Sequence, residues 1–113
     1  GHTLGHAVEK VSAYSVSHGE AVAIGMAVIT RAAVKRGICA PETAERLEGI
    51  LKAYGLPTAT GLPREALAAA AMSDKKNHGG RLDLIVPEAI GRCRIRSIPP
   101  AEFGDWLSDG GVQ

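Results

Sequence analysis

The chain has 113 residues, a formal net charge of +1 and 22% charged residues. This length fits one domain with a core of its own, and the balanced charge argues against binding to nucleic acid or to an anionic membrane. Aromatic residues make up only 4% of the chain, too few for a base-stacking surface. Cys39 and Cys93 are far apart and predict free thiols. Without an apolar run of the ~20 residues that span a bilayer, or a signal-peptide pattern, we expect a cytoplasmic protein.

Four helices are predicted in the first two thirds of the chain. Apolar residues at helical spacing predict the first helix over residues 3–12. Residues 19–35 are apolar nearly all round, which predicts a buried helix. Pro41 and Pro63 suit the first turns of two further helices, which we expect to end near residues 54 and 72.

The last third of the chain changes its periodicity. Alternating apolar residues over 82–86, a glycine-bearing turn at 88–91 and alternating arginines at Arg92, Arg94 and Arg96 predict a β-hairpin. We expect the three arginines to face solvent or a partner subunit. A short helix is predicted over residues 101–107. The predicted fold class is therefore mainly α, a multi-helix domain with one small β-hairpin.

Three of the four histidines lie within the first eighteen residues. His2 and His6 are four residues apart and project from one side of the first predicted helix. His18 precedes the second predicted helix and can approach this pair if the two helices are antiparallel. Imidazole is the commonest protein ligand for zinc and similar ions, with Glu9 and Glu20 as nearby carboxylates. The same residues could instead cap helix ends, bond within the core or face solvent, and spacing alone does not choose between these readings.

A second polar cluster covers residues 74–81. Lys75, Lys76, Asn77 and the glycines that follow could hold a phosphate or a carboxylate, with lysine acting as a point charge. The alternative is a solvated loop between a helix and the hairpin.

These segments, in this order, resemble 3-dehydroquinate synthase. Residues 1–9 (GHTLGHAVE) are similar to that family's GHTxGHAxE, and residues 18–26 (HGEAVAIGM) to its HGEAVAIGM. Residues 74–77 (DKKN) and Ile90-Gly91 are similar to its closing signatures. The resemblance implies the C-terminal, helical domain of the dehydroquinate synthase-like fold over residues 1–113. It also implies that the family's N-terminal NAD-binding domain is not in this sequence.

The resemblance implies a role for each candidate residue. His2 and His18 would bind zinc (or cobalt), with a third ligand, a glutamate, from the N-terminal domain. His6 would face the substrate and relay a proton, and Lys75, Lys76 and Asn77 would hold the substrate's phosphate or carboxylate end. The implied reaction converts 3-deoxy-D-arabino-heptulosonate 7-phosphate into 3-dehydroquinate and phosphate in the shikimate route to aromatic amino acids, with NAD oxidised and restored within each turnover.

Two other classes of protein remain open from the sequence. One is a related sugar-phosphate cyclase, such as 2-deoxy-scyllo-inosose synthase, or a metal-dependent polyol dehydrogenase of the same superfamily. The other is a helical interaction module without catalysis. If the synthase resemblance is correct, we expect a homodimer in the full-length enzyme, and negligible activity and self-association in this chain by itself.

Overall fold

The computed structural model describes residues 2–75, 82–89 and 92–113, with the side chains of His2 and of residues 73–75 outside that description. The elements in chain order are α1 (His2–Val11), α2 (His18–Lys35), α3 (Pro41–Ala53), α4 (Arg64–Lys75), β1 (Leu82–Ala89), β2 (Arg92–Ile98), a 3₁₀ turn (Pro100–Glu102) and α5 (Phe103–Asp109). The mainly helical class and the hairpin are confirmed. The last helix begins two residues later than expected, because the chain after Pro99 first makes the 3₁₀ turn.

Helix α2 is the central element of the core. It packs against α1, α3, α5 and β1, and ten of its eighteen residues are buried, as its apolar composition predicts. Glu9 of α1 lies beside His18, and Gly5 lies beside Ala21. The later residue of α1 therefore lies beside the earlier residue of α2, and the earlier residue of α1 beside the later one of α2. The two helices are antiparallel.

A capping box begins helix α2. The Ser17 hydroxyl accepts a hydrogen bond from the Glu20 backbone N–H at 3.2 Å, and the Glu20 carboxylate accepts one from the Ser17 backbone N–H at 3.1 Å. These bonds satisfy two backbone groups that a helix start otherwise leaves without partners. The first residue of α2, His18, is fixed in place by this cap.

The arginines of the hairpin are exposed to solvent, as expected, although two of them share a strand face with buried residues. Arg96 pairs with Leu84 and Arg94 with Val86, and directly paired residues of antiparallel strands lie on the same side. Leu84 and Val86 are buried against the helices. The Arg96 guanidinium lies 5.8 Å from the Trp106 ring.

The opposite side of the hairpin carries two exposed isoleucines. Ile85 and Ile95 pair directly, and their exposed fractions are 43% and 71%. Among residues 2–75, 82–89 and 92–113, no helix is both long and apolar enough to cross a bilayer.

Candidate active site

Helix α1 and the start of α2 bring the histidine cluster together. His6 and Glu9 are three residues apart on α1 and therefore share a helix face. His18 reaches the same place from α2, as the prediction of an antiparallel pair requires. The cluster of His6, Glu9 and His18 is called the histidine–glutamate cluster below.

Glu9 lies between the two imidazoles. Its Oε1 is 3.1 Å from His18 Nδ1, a hydrogen bond, and 3.8 Å from His6 Nδ1, an ion-pair distance. The Glu9 side chain is only 13% exposed, whereas those of His6 and His18 are 55% and 63% exposed. A carboxylate oxygen accepts hydrogen bonds, so this contact is a hydrogen bond in the His18 tautomer that carries its proton on Nδ1.

The connector between α1 and α2 is anchored on the backbone of Glu9. The Glu9 carbonyl accepts hydrogen bonds from the Tyr14 backbone N–H at 2.8 Å and from the Ser12 hydroxyl at 3.1 Å. Ala13 and Tyr14 have φ values of 53° and 62°, a left-handed conformation that costs a non-glycine residue energy. This tight reversal brings His18 back against Glu9 within nine residues.

Glu20, the other nearby carboxylate, has a different use. Its hydrogen bond from the Ser17 backbone, and secondarily that with the Ser17 side chain, lowers the pKa of Glu20 below its ordinary value of 4.5. The carboxylate is committed to the start of α2. The signal that assigns Glu20 this role is the S-x-x-E spacing of residues 17–20, a capping-box pattern that charge–dipole reasoning alone did not identify.

Two of the remaining predicted site residues lie at the ends of helices. His2 begins α1, and Thr3 beside it bonds through its hydroxyl to the Asp83 carbonyl of β1 at 2.9 Å, which ties this end of α1 to the hairpin. Lys75 ends α4, whereas Lys76 and Asn77 lie outside the described residues. In the part of the chain that the structure describes, no three His, Cys, Asp or Glu side chains are grouped as a metal site.

An open cleft of about 570 Å³ lies beside the connector, next to residues 57–62. Its polar lining comes from Ser12, Ser15, Glu20 and Thr60. Neither His6 nor His18 lines it, so the cleft is distinct from the histidine–glutamate cluster.

The helical fold of this chain matches part of several solved structures. A crystal structure of 2-epi-5-epi-valiolone synthase from Streptomyces hygroscopicus subsp. jinggangensis, with NAD⁺ and Zn²⁺ bound, matches 96% of this chain and 31% of that one with a TM-score of 0.81 and 23% identity. A 2-deoxy-scyllo-inosose synthase structure matches 96% of this chain and 30% of that one with a TM-score of 0.75 and 18% identity. At these identities the likeness shows the fold alone.

The amino-acid sequence of the chain shows which family it belongs to. Residues 1–77 match the model of the 3-dehydroquinate synthase C-terminal family, and the chain belongs to that family. It is 47% identical over 97 residues to the 3-dehydroquinate synthase of Clostridium perfringens, covering 84% of this chain and 28% of that protein. It is 39% identical over 115 residues to the 3-dehydroquinate synthase of Enterococcus faecalis, covering 99% of this chain and 32% of that protein. The chain thus spans about 30% of the length of these relatives.

Proposed function

We propose that this chain forms the metal- and substrate-binding part of a 3-dehydroquinate synthase, which converts 3-deoxy-D-arabino-heptulosonate 7-phosphate into 3-dehydroquinate and phosphate in the shikimate pathway. The observation that supports this most strongly is the histidine–glutamate cluster, built from the two segments that resemble the family motifs and lie within the matched residues 1–77. An N-terminal domain would contribute the NAD site.

We assign the zinc ligands within this chain to His2 and His18. His18 suits this role because Glu9 occupies its Nδ1 and leaves Nε2, on a ring that is 63% exposed, for a metal. A glutamate of the N-terminal domain completes the set in this proposal. A zinc or cobalt ion held there would supply Lewis-acid polarisation of a substrate hydroxyl, and NAD held by the N-terminal domain would supply the hydride acceptor and donor.

His6 is the proposed proton-transfer residue. Its ring is more than half exposed and lies within 3.8 Å of the carboxylate that also holds His18. An imidazole at this position can accept a proton from a substrate hydroxyl and pass it on. We assign the phosphate or carboxylate end of the substrate to Lys75, Lys76 and Asn77, whose charges and amide suit an anion.

A chimera tests the proposed reaction. Residues 1–113 would replace the matching C-terminal part of the Clostridium perfringens relative, to which 97 residues align at 47% identity. We expect phosphate release from the heptulosonate 7-phosphate, and loss of it in the His18→Ala and His6→Ala chimeras. Only His18→Ala should also lose bound zinc. Tyr54→Ala is the matched surface control, because Tyr54, the residue that follows α3, is 80% exposed.

The same chimera separates the related functions. Turnover of glucose 6-phosphate instead of the heptulosonate would indicate an inosose-type cyclase, and NAD-dependent oxidation of glycerol would indicate a polyol dehydrogenase. A folded chimera that binds zinc but turns over none of the three would contradict the proposed reaction and leave an interaction module as the remaining reading.

We further propose a cytoplasmic homodimer for the complete enzyme. The isolated chain should have negligible synthase activity and should self-associate through apolar surface such as that around Ile85 and Ile95. Light scattering at rising concentration measures this, and a constant monomer mass would contradict the expected self-association.

A further inference from the structure

We propose that Glu9 is a positioning residue that holds both His18 and His6 in the Nδ1–H form, so that each ring presents Nε2 to the ligands of the site. This inference rests on the proposed function, because His18 is taken as a metal ligand and His6 as the proton-transfer residue. One carboxylate would then set the metal ligand and the proton relay together.

The distances support a shared acceptor. Oε1 of Glu9 is the atom nearest to both rings, at 3.1 Å from His18 Nδ1 and 3.8 Å from His6 Nδ1. The first contact is a hydrogen bond, and the second is an ion-pair distance. The two approaches come from different helices, so Glu9 also links α1 to the start of α2.

The burial of Glu9 makes this role specific. A carboxylate that is 13% exposed has lost most of its water and requires hydrogen-bonding partners, and here the partners are imidazoles. The Glu9 backbone is fixed as well, since its carbonyl accepts from Tyr14 and Ser12 in the connector. The hydrogen bonds therefore hold the Glu9 carboxylate, the His18 ring and the connector between α1 and α2 in one arrangement.

Glu20 provides a matched contrast. It is the same residue type, lies two positions from His18, and uses its carboxylate on the Ser17 backbone. Glutamine also completes a capping box, so Glu20→Gln changes one carboxylate near the cluster without removing its structural role. Glu9→Gln makes the same chemical change at the proposed positioning residue.

The ring tautomers give a direct test that requires no metal. In the ¹⁵N-labelled chain at about pH 8, where an ordinary imidazole is neutral, two-dimensional ¹⁵N–¹H spectra distinguish Nδ1–H from Nε2–H. We expect Nδ1–H at His18 and His6 in the native chain and in Glu20→Gln, and a shift toward Nε2–H in Glu9→Gln. An Nε2–H form of His18 in the native chain would overturn the proposal.

Zinc affinity separates this inference from the proposed function. Titration of Zn²⁺ against a chromophoric chelator should show an affinity about 10- to 100-fold weaker in Glu9→Gln, the usual effect of removing a carboxylate behind a ligating histidine, with Glu20→Gln unchanged. If His18→Ala abolishes binding and Glu9→Gln leaves it unchanged, the role of Glu9 is refuted while the metal site stands. If neither variant affects zinc while Glu9→Gln still shifts the tautomers, the metal assignment fails and Glu9 keeps only its positioning of the rings.

Discussion

The sharpest stability prediction concerns Gly110, the residue that follows α5. Its φ of −83° suits any L-amino acid, so alanine brings no backbone strain there. A Cβ at this position, however, would lie 2.4 Å from the Val28 carbonyl oxygen and 2.5 Å from Val28 Cγ1. The side-chain atom can rotate away, but the carbonyl belongs to the central helix α2 and cannot move without it.

The cost follows from this contact. To bring the new Cβ to an ordinary van der Waals distance from the Val28 carbonyl oxygen, α5 and α2 must move apart by about 1 Å. Overpacking of this kind typically lowers the free energy of unfolding by about 1–3 kcal/mol. The shift would also disturb the hydrogen bond from Arg31 Nε to the Gly110 carbonyl at 2.9 Å. We therefore expect Gly110→Ala to lower the free energy of unfolding by about 3 kcal/mol. At roughly 4 °C per kcal/mol for a domain of this size, the melting temperature falls by about 12 °C.

Gly5→Ala is the matched control. A Cβ on Gly5 would lie 3.5 Å from the Ala21 carbonyl oxygen and 3.7 Å from Val22 Cα, which are ordinary contacts. Because alanine is favoured over glycine inside a helix by up to about 1 kcal/mol, we expect Gly5→Ala to be neutral or stabilising. Urea unfolding followed by circular dichroism measures both variants. A Gly110→Ala variant within about 0.5 kcal/mol of the native chain would refute the close approach of α5 to Val28.

Three further predictions concern the core, the helix cap and the thiols. Leu4→Ala should lower the free energy of unfolding by about 2–5 kcal/mol in the same urea assay, because Leu4 is fully buried; a cost below 1 kcal/mol would contradict its place in the core. Ser17→Ala should cost about 1 kcal/mol. The lowered pKa of Glu20 means that its stabilising effect is present above pH 4.5 and is lost as the pH falls through its folded-state pKa. The stability difference between the native chain and Glu20→Ala, which removes the carboxylate from the cap, should therefore shrink in acid, and a difference independent of pH would contradict the cap. A thiol reagent should modify the exposed Cys93 rapidly and the buried Cys39 only at the rate of unfolding; equal rates would contradict the burial of Cys39.

Local sequence patterns were sufficient for the elements of the fold. The apolar periodicity of residues 3–12 and 19–35 and the alternation of residues 82–86 each depend on neighbours a few positions apart, and the structure confirms all three. The family resemblance is also local, since it depends on short motifs, and the match over residues 1–77 confirms it.

Tertiary packing decided how the side chains of these elements are used. The S-x-x-E spacing of residues 17–20 identifies Glu20 as part of a helix cap, but no spacing shows whether Glu9 faces solvent. The antiparallel packing of α1 on α2 places Glu9 between His6 and His18. The hairpin shows the same limit: the alternation predicted which residues share a face, and the packing of β1 on the helices decided that Leu84 and Val86 are buried there while the arginines stay exposed. Periodicity fixes which residues of an element lie together, but burial depends on contacts between residues far apart in the chain, and those contacts form only when the elements pack.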